Sequence, residues 1–230
     1  MPQTTLIQIC DLTRRAAKTH RLILDKVNLS ILGGQRIGLV GPSGSGKSSL
    51  LRAIAKLDRC ESGEVRFDGQ PICKDAVPAY RRQVIYLPQR PSFVSGTVRD
   101  NLELPFRLAA ANEAFDPSSV DRWLGDLAKS RELLDQPVSQ LSGGEQQIVA
   151  LIRAISLSPQ VLLFDEPTAS LDPEATQRFE DLVLAWQQET KSCSNRGFVW
   201  TSHDAGQIER MTNRRIEISN GVLAVEDARA

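Results

Sequence analysis

The stretch Gly41-Pro42-Ser43-Gly44-Ser45-Gly46-Lys47-Ser48 fits the pattern G-x-x-x-x-G-K-[ST]. It follows an apolar run, Arg36 to Val40, and precedes Ser48 to Leu57, where Leu50, Leu51, Ile54 and Leu57 fall on one helical stripe. Strand, glycine loop and helix form the context that gives the pattern meaning. The glycines let the backbone bend around a phosphate where a Cβ would obstruct it, and the loop N–H groups and helix N-terminus then point at the anion. Lys47 is placed to neutralise β- and γ-phosphates, and the Ser48 hydroxyl is a hard oxygen ligand for Mg²⁺. A glycine turn of purely structural purpose needs no Lys-Ser pair.

Two further runs, Val161 to Phe164 and Phe198 to Thr201, resemble Arg36 to Val40 in being short and nearly continuously apolar. Strands covered on both faces read this way, so an α/β core around a parallel sheet is expected. Leu6 to Leu12, Leu22 to Leu32 and Glu64 to Phe67 alternate instead, and predict an antiparallel sheet. Asn220-Gly221 between Ile216–Ser219 and Val222–Val225 is a hairpin signal. Between Gln89 and Pro159 the pattern is mostly helical, with Val98 to Ala111, Val120 to Leu134 and Ser142 to Ser158 as the expected helices. The reading is of a single domain, 1–230, whose α/β core carries an inserted helical lobe over about 91–158.

Val161-Leu162-Leu163-Phe164 ends in Asp165-Glu166. Acids at the carboxyl end of a core strand sit where open α/β sheets place ligands. Asp165 is then expected to hold Mg²⁺, and Glu166 to polarise an attacking water. Taken alone, two solvated acids at a strand end would be the plainer account; the phosphate loop in the same chain reverses that weighting.

Leu141-Ser142-Gly143-Gly144-Glu145 has capping-box spacing ahead of an apolar helix. A capped helix alone would explain Ser142 and Glu145. Two glycines in a first helical turn, each costing about 1 kcal/mol relative to Ala, call for something that approaches the backbone closely. A second anion-binding surface is therefore expected, far from the first along the chain. His203 follows the strand Phe198 to Thr201, and Gln89 follows Tyr86-Leu87-Pro88; neither would mean much alone.

Together these residues resemble the ATP-binding subunit of an ABC transporter, from about Leu6 to Val225. Gly41 to Ser48 resembles the Walker A loop, Gln89 the Q-loop, and Leu141 to Glu145 the LSGGQ-type signature with Glu in its last place. Val161 to Glu166 resembles Walker B, Ser170-Leu171-Asp172 the D-loop, and His203 the H-loop. The resemblance implies a P-loop NTPase fold of ABC type, with a RecA-like parallel core, an antiparallel β subdomain and a helical lobe. It implies ATP and Mg²⁺ as cofactors, with Ser48, Gln89 and Asp165 on the metal and Lys47, Glu166 and His203 in catalysis. Ser49 and Asp172 join the nucleotide-binding set. Two copies are implied to bind head to tail, each nucleotide lying between the Walker A loop of one and the Ser142–Gly144 segment of the other. An integral-membrane permease is the implied further partner, which would place the chain in the cytoplasm on the inner face of the membrane.

Two departures stand out. The family usually stacks adenine on an aromatic residue near the N-terminus, but Ala17-Lys18-Thr19-His20 holds none, leaving His20 as the stand-in. After the signature, Ile148 replaces the usual Arg, while Arg153 remains. A weaker resemblance, carried by Gln89-Arg90-Pro91-Ser92-Phe93, Thr97 to Leu102 and Pro105-Phe106, is to the ATP-binding subunits of bacterial Fet-type iron exporters. The short C-terminus agrees with it, since sugar-importer subunits often carry a regulatory extension.

Composition bounds the alternatives. Lys plus Arg and Asp plus Glu are equal at 28 each, so no global field holds nucleic acid, and no nucleic-acid partner is expected. Cys10, Cys60, Cys73 and Cys193 are scattered without metal-site or disulfide spacing. Met1 to Cys10 lacks the pattern of a secretory signal, and no stretch approaches the roughly 18 apolar residues of a membrane helix. A soluble ABC ATPase of translation or DNA repair would need a tandem cassette or a long coiled coil. A cassette that has lost hydrolysis would commonly lack Glu166, His203, Gly143 or Gly144, and all four are present.

Overall fold

Alternating apolar residues make Thr5–Arg15 (β1) and Leu22–Leu32 (β2) antiparallel partners, with Ile7 opposite Ile31 and Ile9 opposite Leu29. The computed structural model describes residues 4–108, 114–189 and 195–228, with side chains to residue 224. After β2 come Arg36–Val40 (β3), the helix Lys47–Ile54 (α1), Ser62–Phe67 (β4), Gln70–Pro71 (β5), Val77–Gln83 (α2) and Val84–Leu87 (β6). The helices Val98–Glu103 (α3), Pro117–Asp126 (α4) and Gly143–Ile155 (α5) follow. Val161–Asp165 (β7), Pro173–Gln188 (α6), Gly197–Thr201 (β8), Ala205–Met211 (α7), Arg214–Ser219 (β9) and Val222–Ala228 (β10) complete the order.

The chain divides into two units. One comprises Met1–Tyr86, Gln160–Glu166 and Thr190–Ala230. It carries an antiparallel sheet in the order β2-β1-β4-β5 and a sheet in the order β10-β9-β3-β8-β7-β6. In the second sheet β7, β8, β3 and β9 are mutually parallel and β10 returns antiparallel. Every residue of β7 and β8 is buried, which explains their unbroken apolar sequence. The Phe164 ring stacks obliquely on Trp200 at 4.7 Å between centroids and meets Phe198 edge-on at 6.0 Å.

The other unit comprises Leu87–Pro159 and Pro167–Glu189, so it takes in α6 as well as the helices the sequence foreshadows. Val98 and Leu102 of α3, Ile148 and Ile152 of α5, and Phe179 and Val183 of α6 are buried in it. Asn101, fully buried, ties down the loop before α3 by accepting from Val94 N and donating to the Val94 and Thr97 carbonyls.

Helix ends differ from the sequence reading for local reasons. Val98 to Ala111 is not one helix: α3 stops at Glu103 and Leu104–Arg107 tightens to a 3₁₀ turn, because Pro105 has no N–H for the α-helical ladder. Residues 109–111 of that expected helix lie outside the described residues. Val120 to Leu134 is split. Ala128 sits at φ 52, with Lys129 N bonded to Leu124 O and Ala128 N to Gly125 O, the double closure that terminates a helix. An alanine in this left-handed place hides the stop from sequence reading, and a separate 3₁₀ turn, Arg131–Asp135, follows.

Phe164 is fully buried, so Phe164→Ala should cost about 3–5 kcal/mol in urea denaturation.

Candidate functional site

The loop between β3 and α1 is shaped by backbone that only glycine accepts easily. Gly41 has φ 147, and a Cβ there would lie 2.1 Å from Ile218 O; Gly46, the N-cap of α1, has φ 114. The first turn of α1 has no side-chain cap and no acidic residue. Its backbone N–H groups thus keep the character of an anion site. Lys47 is buried and lies across the loop, donating to Gly41 O at 2.7 Å and Pro42 O at 3.1 Å. The Ser45 hydroxyl is buried, and no partner for it stands among the described residues.

Asp165 collects three hydroxyls. Ser48 donates to its Oδ1 at 3.0 Å, Thr201 to the same oxygen at 3.3 Å, and Tyr86 to Oδ2 at 2.8 Å. Burial, followed by the bond to Asp165, pushes the Tyr86 hydroxyl well above its ordinary value, so it stays a donor. Thr201 also receives the Glu166 N–H at 3.0 Å. In a regular strand Asp165 and Glu166 would point to opposite faces. Glu166 instead adopts φ 50, a left-handed conformation costing a non-glycine residue about 1–3 kcal/mol. His203 Nε2 meets Glu166 Oε1 at 2.9 Å. A cavity of about 290 Å³ is lined by Ser43, Gly44, Gly46, Lys47, Ser48 and Ser49 of the loop, by Glu166 and His203, and by Arg21 and Ile23 of the first hairpin.

Ser48 and Asp165 fit Mg²⁺ in their chemistry: it is a small hard cation that takes one or two protein oxygens and completes its shell with water and phosphate. His20, with φ 53, is exposed and does not line the cavity; Arg21 and Ile23 do. Sequence reading missed them, although both lie in the turn-to-strand step next to the segment it singled out. It also missed Tyr86 and Thr201. The signal for Thr201 was a hydroxyl ending an otherwise apolar core strand.

In the second unit, Ser142 and Glu145 form the expected capping box. Glu145 N donates to Ser142 Oγ at 3.3 Å, and Ser142 N donates to the Glu145 carboxylate at 3.0 Å. Backbone and hydroxyl bonds from Ser142 hold the Glu145 carboxyl below the usual carboxylate range. Gly143 and Gly144 pass close to Ser170: a Cβ on Gly144 would lie 3.0 Å from Ser170 O. Leu141 is buried, and the Asp172 carboxylate caps α6 by accepting from Ala175 N at 2.8 Å. Gln89 is exposed, and its carbonyl accepts from Gln147 Nε2 at 2.7 Å. Gln147, buried beside the apolar stripe of α5, was another residue to be found by its polarity. Ile148 is simply core, while Arg153 donates to Ser92 O and lies over the Phe93 ring.

The β3-loop-α1 phosphate cradle, with acids at the end of β7, defines a P-loop α/β protein, and its fold is that of an ABC-type ATPase. The ABC transporter family model matches residues 24–169, and the chain belongs to that family. Protein STAR1 of Oryza sativa subsp. japonica is 38% identical over 207 residues, which are 90% of this chain and 58% of that protein. The probable iron export ATP-binding protein FetA of Escherichia coli (strain K12) is 34% identical over 186 residues, 81% of this chain and 80% of its own length. A dimeric ATP-binding cassette solved in a post-hydrolysis state with ADP and Pi superposes with a TM-score of 0.85 at 26% identity, covering 98% of this chain and 100% of that one. The chain thus spans little more than half the length of some curated relatives, such as STAR1.

Replacing Glu145 by Ala should lower stability at pH 7. The carboxylate's contribution is present above its unfolded pKa and is lost as pH falls through the depressed folded value. Urea midpoints of the wild type and variant should therefore converge on acidification.

Proposed function

We propose that this chain is the ATP-binding and ATP-hydrolysing subunit of an ABC transporter, a single nucleotide-binding domain over 1–230. The observation that carries the reading is the convergence of the phosphate loop, Glu166 and His203 on one cavity. In this reading the loop N–H groups and Lys47 hold the β- and γ-phosphates, and Lys47 exchanges its bonds to Gly41 and Pro42 for phosphate oxygens. Ser48 and Asp165 would hold Mg²⁺, which when bound would supply charge neutralisation on the phosphates. Glu166 accepts a hydrogen bond from the attacking water. His203 contacts the γ-phosphate and, from its 2.9 Å contact, steadies the glutamate. Ser49 completes the loop's binding set.

A second copy supplies Leu141 to Glu145 and Asp172 across a head-to-tail dimer, with the helix N-terminus behind Ser142, Gly143 and Gly144 facing the nucleotide. That the similar cassette of known structure is dimeric supports this arrangement. Closing around ATP and opening after hydrolysis gives a two-state element able to drive a permease. Among the described residues no helix is long and apolar enough to cross a membrane, so a peripheral site on the inner face, held by the permease, is part of the proposal. The cargo proposed is iron, exported, on the likeness to FetA. Metal efflux in a strain lacking the chain tests that assignment, and unchanged efflux would remove it.

Glu166→Gln should cut ATP turnover by at least about a hundredfold while trapping an ATP-bound dimer in gel filtration. Wild-type turnover in that variant would sink the role given to Glu166. Arg21, at the cavity wall, is proposed to flank the base in place of the missing aromatic. Arg21→Ala should raise KM for ATP about fivefold, the worth of an exposed cation–π contact, with kcat little changed. His20→Ala should leave both alone.

A further inference from the structure

The Tyr86 hydroxyl does more than fill space beside Asp165. Arg52, one helical turn beyond Ser48 on α1, grips Asp58 through two bonds of 3.0 and 2.9 Å, and its charge acts on that hydroxyl. Asp58 takes a second cation, Arg14 of β1, at 3.0 Å. Arg14 donates in turn to Ser49 Oγ at 3.2 Å. Ser49 follows Ser48 in the chain, and Ser48 donates to Asp165. Side-chain bonds thus run from Arg52 through Asp58 and Arg14 to Ser49, whose backbone neighbour Ser48 bonds Asp165 alongside Tyr86.

We propose that Tyr86, backed by the Arg52–Asp58 pair, is a positioning residue for the Asp165 carboxylate, and that its bond sets the oxygen Asp165 offers to a divalent cation. The proposal rests on the reading of Ser48 and Asp165 as the cation site. Asp165 is only 6% exposed, and among the described residues Tyr86 is the donor to its Oδ2. A buried carboxylate oxygen stripped of its donor is costly, so the group would turn toward the hydroxyls that remain, Ser48 and Thr201. Those bonds would occupy the lone pairs a cation needs. The Arg52 charge favours keeping the phenol oxygen in its place, and Arg52 is itself fixed by a two-bond grip on Asp58. Partners behind metal ligands act in this way, and losing one typically weakens metal affinity by about 10–100-fold.

The test is Mn²⁺ binding followed by electron paramagnetic resonance on the full chain with ADP present. Tyr86→Phe should weaken Mn²⁺ affinity about tenfold. Affinity for ADP in excess chelator should stay close to wild type, which a tyrosine that only shapes the phosphate loop would not allow. Asp58→Asn should shift Mn²⁺ affinity the same way by a smaller factor, about threefold, and the double variant should be no worse than Tyr86→Phe alone. Unmoved Mn²⁺ affinity in Tyr86→Phe, or effects that simply multiply, overturns the positioning role. If Tyr86→Phe does not fold, Asp58→Asn decides: a shift supports the proposal and its absence overturns it. A wild-type protein that binds neither ADP nor Mn²⁺ overturns the functional reading beneath it, whereas wild-type binding with unresponsive variants overturns the positioning role alone.

Discussion

The carboxylate of Asp165 is the point on which the ends of the core strands converge. In the order β3-β8-β7-β6, β3 leads into the loop ending at Ser48, β8 ends at Thr201, β7 ends at Asp165, and β6 carries Tyr86. Parallel pairing puts Thr201 directly opposite Asp165. Three hydroxyls from three neighbouring strands or their loops reach one acid only if every register is right. A shift of one residue would send the side chain at the strand end to the opposite face and scatter the hydroxyls. Core packing, carried by Phe164, Phe198 and Trp200, therefore fixes the site as firmly as any contact within it.

The sheets were legible because their periods differ. Alternation marked β1, β2 and β4, and unbroken apolar runs marked β3, β7 and β8. The phosphate loop was legible because its glycines and Lys-Ser pair serve a purpose that packing does not require. What escaped was long-range pairing. Tyr86 and Asp165 are 79 residues apart, and nothing local in Tyr86-Leu87-Pro88 announces their bond. The helix stop at Ala128 escaped because alanine is the usual residue of a helix middle. Arg21 was overlooked for a simpler reason: an aromatic was sought, and its neighbour His20 was the nearest ring.

The two glycines after Ser142 show how a local rule yields to a close approach. Their cost in helix propensity is real, yet the chain at Ser170 passes so near that a Cβ on Gly144 would crowd its carbonyl. The capping box holds the helix start against that cost, since Ser142 and Glu145 satisfy each other's backbone N–H. Glycine at 144 is thus favoured from inside the second unit, independently of any ligand.

Glu166 carries a different tension. Its left-handed backbone is one that glycine or asparagine would adopt more comfortably, so the fold would gain by losing this side chain. A directed-evolution campaign scored only on thermal resistance would drift toward replacing it, and, on the role proposed for Glu166, the more robust descendants would be the ones least able to turn over nucleotide.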